Sequence, residues 1–73
     1  MEPYNLKHLS TGLQEAAKDI RGKDITRIAA VEQIDQTTVR EYLKGHIAKP
    51  AMGKAILGRC REILIARTHD MAA

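Results

Sequence analysis

The chain has 73 residues, 12 lysines and arginines against nine acidic residues for a net charge of +3, and a single cysteine. That length admits one domain and no more. Cys60 alone excludes an internal disulfide, and His8, His46 and His69 stand at no ligand spacing with it, so the fold must rest on close helix packing, on self-association, or on both.

Apolar residues recur at intervals of three and four, and β-like alternation is absent, so the chain reads as all-α, one small domain of four helices. The first helix takes Leu6, Leu9, Leu13, Ala16, Ala17 and Ile20 as one stripe and closes at Gly22. Thr11 and Gln14 have capping-box spacing, so its stable part is expected to start near Thr11, leaving residues 1–10 as an N-terminal arm. The second helix is expected after an Asp24 N-cap and buries Ile25, Ile28 and Ala29, with Val31 at the margin. The third follows an Asp35 N-cap, buries Val39, Tyr42 and Leu43, and stops at Gly45. After the loop HIAKP the fourth runs from about Ala51 to Arg67, and residues 68–73 read as a frayed tail. Met52, Ile56, Cys60, Ile63 and Arg67 share one stripe of that helix. Leu57, Leu64 and Ile65 form a second strip with no obvious partner in so small a domain, which marks them as a homodimer interface.

The centre of the chain, IAAVEQIDQTTVREYLKG over residues 28–45, ends one helix and restarts another almost at once. Two short helices with a tight connection cross steeply, and the second projects from the surface. That geometry sets a helix end in a DNA major groove. Ala29 is small where the two would cross, and Ile34 is apolar inside the turn. At about 100° per residue, Gln36, Thr37, Arg40, Glu41 and Lys44 fill one outward arc of the third helix, with Val39 and Tyr42 opposite. The arc carries chemistry that reads base edges: glutamine pairs with adenine, arginine with guanine, a threonine methyl meets the thymine methyl, and a carboxylate accepts from cytosine. Glu41 has a second reading, orienting Arg40 or pairing with Lys44 or another basic side chain. Lys44 and Lys49 bracket the following loop, and Thr26 and Arg27 open the second helix, where contacts to phosphate position a protein without reading sequence.

The stretch ITRIAAVEQIDQTTVREYLKG resembles the helix-turn-helix of lambdoid phage repressor and Cro-like proteins, and more distantly the lac-repressor headpiece, over about residues 24–50. The matching positions are Ala29, Ile34, Val39 and Tyr42, and YLKGHIAKP extends the match through a glycine stop and a basic loop ending in proline. The resemblance implies that Gln36, Thr37, Arg40 and Glu41 face bases, that Lys44 and Lys49 lie near phosphates, and that the protein binds an operator, commonly as a dimer. Gln33 stands where the family usually has glycine, and Glu32 replaces a commonly small or apolar residue, so the turn is where a difference is expected. The fourth helix is longer than the family's usual final helices.

The remaining chemistry is sparse. Cys60 reads as a small buried hydrophobe. The stretch GKAILGRC lacks the lysine–serine/threonine ending and the preceding strand of a phosphate loop. No nucleophile–histidine set or pair of carboxylates stands at useful spacing, so no catalytic residue, metal, cofactor or small-molecule ligand is expected. No run approaches the roughly 20 apolar residues of a membrane span, and MEPYNLKHL is unlike a signal peptide. With a free thiol this points to a cytoplasmic, nucleoid-associated protein of a bacterium or phage-infected host. Four basic and two acidic residues fall in the last 23 positions, against four and four in the first 24, a mild bias that leaves affinity for nucleic acid to a few placed cations. The expectation is a sequence-specific regulator of transcription, a repressor that binds double-stranded DNA at a two-fold operator, from a phage or mobile element. The alternative is a protein-interaction adaptor built on the same core.

Overall fold

A computed structural model of the chain describes the backbone of residues 6–72 and the side chains of residues 6–68. Four helices follow one another: α1 (Leu6–Ala17), α2 (Gly22–Glu32), α3 (Gln36–Leu43) and α4 (Pro50–Ala72), with no strand among the described residues. The fold is all-α, with α2, a short turn and α3 as its central helix–turn–helix unit.

Several boundaries differ from the sequence reading. α1 begins at Leu6, and Leu9 is already in the core, so residues 6–10 are helix and not an arm; residues 1–5 lie outside the described residues. α1 stops at Ala17, and Gly22 opens α2 instead of closing α1. Arg21, with extended backbone, is the N-cap of α2, and Asp24 occupies the third helical position. There its carboxylate accepts the Arg21 backbone N–H at 2.9 Å, the reach-back half of a capping box. An acidic residue two or three places inside a helix thus does the work expected of one just before it.

The turn between α2 and α3 closes without glycine. Gln33 takes a left-handed conformation, φ 58 and ψ 46. The N–H groups of Gln33 and Ile34 both reach the Ala29 carbonyl, the latter at 3.0 Å. That is how an α-helix end disposes of its free carbonyls before the chain turns away. Ile34 packs against the core as its apolar character demands.

The core gathers Leu9, Leu13 and Ala16 from α1, Ile28 and Ala29 from α2, Val39, Tyr42 and Leu43 from α3, and Ile56, Leu57 and Cys60 from α4. Leu57 belongs to it because α1 comes close at Gly12, where a Cβ would stand 3.2 Å from Leu57 Cδ2. The strip expected to be spare is therefore mostly occupied. Leu57 is 8% exposed, Leu64 is half-buried against the core, and only Ile65 stands out, at 58%. Two of the three residues assigned to a dimer surface are consumed inside one chain.

α4 starts on Pro50, whose missing N–H goes unneeded in a first turn, and continues as helical backbone to Ala72 in place of a frayed end after Arg67. The Cα extents are 43 × 25 × 17 Å, and a helix of 23 residues accounts for most of the long dimension. Its far half is tied down by Arg67, which donates to Asp24 Oδ2 at 2.6 Å and to the Asp19 carbonyl at 2.7 Å.

Candidate nucleic-acid interface

α3 is eight residues long, too short to hold as a helix by itself, and its placement comes from packing. Val39 and Tyr42 are buried, at 0% and 3% exposure. Fixing those two fixes the rotation of the helix. Gln36, Thr37 and Arg40 then point to solvent, and none of their side chains makes a hydrogen bond or ion pair among the described residues. Asp35 is the N-cap with extended backbone, and its side chain makes no capping bond. The outward arc read from the sequence is therefore present as an open polar surface.

Glu41 departs from its companions. His46 Nδ1 lies 2.8 Å from its carboxylate, and Lys44 Nζ lies 3.9 Å away on the other oxygen. The histidine hydrogen bond and then the lysine charge hold the Glu41 carboxyl below its usual range. The pairing reading of this residue is met by His46 and, more loosely, by Lys44. His46 had no role in the sequence reading. The only available signal was its place five residues after Glu41, just past the glycine stop, a spacing that becomes a contact only because the chain doubles back there.

The C-terminal end of α3 is held by α1. Ser10 Oγ donates to the Gly45 carbonyl at 3.0 Å and Gln14 Nε2 to the Lys44 carbonyl at 3.1 Å. Gly45 has φ +99, and a Cβ there would collide with both of those side chains. Further on, the Tyr42 hydroxyl accepts the Lys49 backbone N–H at 2.9 Å. The loop carrying Lys44, His46 and Lys49 is thus pinned at two points while those three side chains stay exposed.

The Thr26 hydroxyl donates back to the Gly22 carbonyl at 3.2 Å, and Arg27 lines the hollow between α2 and α4, beside Val31 and Glu62.

Two titrating groups lie away from the surface. Asp24 is buried; burial by itself would raise its carboxyl, but the Arg21 N–H and the Arg67 guanidinium outweigh that and lower it. Cys60, fully enclosed, is pushed up to about 11 by burial and by the Asp24 charge, so it stays a thiol and a core side chain. Among the described residues no three His, Cys, Asp or Glu side chains cluster as metal ligands, and no helix is long and apolar enough to cross a membrane. Compared with protein-family models, with characterised proteins and with solved structures, the chain finds no match.

Proposed function

We propose that the protein is a sequence-specific DNA-binding regulator of transcription, a repressor that occupies a two-fold operator with α3 in the major groove. The observation that carries this reading is the pairing of a rigidly rotated α3 with three exposed, uncommitted side chains suited to base edges: Gln36, Thr37 and Arg40. Just past the end of α1, Lys18 pairs with Glu15 at 3.2 Å. On α3 such pairing involves only Glu41, Lys44 and the adjoining His46. We therefore assign Glu41 to orienting the loop cations, with Lys44 and Lys49 on phosphates. Two-fold assembly rests on the resemblance to phage repressors, since two of the three residues of the strip that first suggested it pack inside the chain; a mobile-element origin rests on the same resemblance.

The test is selection from a random duplex pool at physiological salt, followed by titration of the enriched duplex. A palindromic motif is expected, with Arg40→Ala costing about 1–3 kcal/mol and relaxing preference at one base. Folded protein that enriches nothing would overturn the reading and leave the adaptor in its place.

A further inference from the structure

A groove runs between α2 and α4, and no α3 residue lines it. It consists of two hollows in series, of about 200 and about 330 Å³, which share Arg27, Ile63 and Ala66. Ile28 and Ile63 give the first an apolar floor, and Val31, 49% exposed, forms its wall. The second reaches Lys23 and the Asp24–Arg67 pair. Most charges along the groove are already matched: Arg67 with Asp24 at 2.6 Å, and Arg59 with Glu62 at 3.3 Å and with Glu32 at 3.0 Å. Lys23 adds its charge to the Asp24 carboxylate without a direct ion pair, and Arg27 has no ion pair among the described residues. Apolar floor, open aliphatic wall and two cations, one of them unpaired, therefore lie along one edge.

We infer that this groove docks an acidic amphipathic helix of another protein. From Lys23 to Val31 it follows α2 for about 12 Å, a little over two turns. That length accepts two aliphatic side chains one or two turns apart, one per hollow, as helix-in-groove recognition requires. Carboxylates on the flank of the same helix would meet Arg27 and Lys23. A second copy of this chain is a poorer occupant. A two-fold contact would set those cations against their own mates on a chain already at +3. The site is independent of the DNA-binding reading and leaves α3 open.

The test is fluorescence anisotropy of a labelled peptide of about four helical turns, built from leucine, alanine and glutamate, titrated with the full chain. Its control is the same leucine seam with lysine for glutamate. The glutamate peptide is expected to bind at least about tenfold more tightly than the lysine peptide, and to weaken about tenfold with Arg27→Glu and again with added salt. Amide shifts in the 15N spectrum should gather on α2 and α4. Val31→Asp, another exposed site, should have a like effect, and circular dichroism checks that each variant is folded. The proposal falls if the two peptides bind equally, if neither binds, or if Arg27→Glu leaves the glutamate peptide unaffected. It falls equally if duplex DNA, and not the peptide, shifts the Lys23 and Arg27 amides.

Discussion

Asp24 shows how one side chain serves several ends. Its carboxylate caps α2, anchors α4 through Arg67 at 2.6 Å, and is nearly closed to water. Asp24→Asn leaves the Arg67 guanidinium without its counter-charge and is expected to cost about 2–3 kcal/mol, since Arg67 keeps some solvent. The pH dependence has a definite sign. The folded carboxyl titrates below its unfolded value of about 3.9, so its contribution is complete above that value and disappears as pH falls through the folded one. Melting temperature should therefore be level near neutrality and drop below about pH 4, and the drop should be shallower in Asp24→Asn. Glu41 invites a different experiment. As a partner of His46 and Lys44 it places a negative charge beside the proposed phosphate path. Glu41→Gln should then tighten binding to any duplex, most at low salt, in an anisotropy titration. Loss of preference at a cytosine instead would return Glu41 to base reading.

At the scale of elements, the sequence disclosed helix identity better than helix limits. The 3.6-residue period found all four helices, and the central pair was read with its buried side correct: Val39, Tyr42 and Leu43 in, Gln36 and Arg40 out. Asp35 was placed correctly as an N-cap and Gly45 as a stop, but the signals at Asp24 and Thr11–Gln14 were misread because local signals are degenerate. Asp24 fits either side of a helix start, and Thr11–Gln14 has capping-box spacing inside a helix that begins at Leu6. Gln14 in fact caps α3 from 30 residues away, a tertiary role that no local pattern encodes. Leu57 was misassigned for a related reason: only the approach of α1 at Gly12 shows that it has a neighbour. The α1 clamp also makes Gly45 a sensitive position. Gly45→Ala combines a left-handed backbone with the displacement of Ser10 and Gln14, and is expected to cost about 2 kcal/mol by chemical denaturation. It should weaken duplex binding by more than its stability loss explains, because the loop that carries Lys44 moves with it.

For the whole molecule, modest net charge is decisive. On the proposed DNA-binding role, a charge of +3 gives little bulk attraction, and a small number of placed cations would set the salt dependence. Replacing Lys44 or Lys49 with alanine should each lower the slope of log K against log salt by about 1 while leaving base preference intact. Arg27→Ala should leave that slope unchanged, since its side chain lies in the α2–α4 groove.

The bond from Arg67 to the start of α2 has one more implication. A peptide cut to residues 22–45 would contain the whole helix–turn–helix and still not be a miniature of the protein. It would lack the guanidinium that neutralises its first turn, the α1 hydroxyl and amide that close its last one, and Ile56 and Cys60 beneath its floor. Transplanting the motif to a new host therefore means carrying across the long terminal helix as well, much as an arch cannot be moved without its abutments.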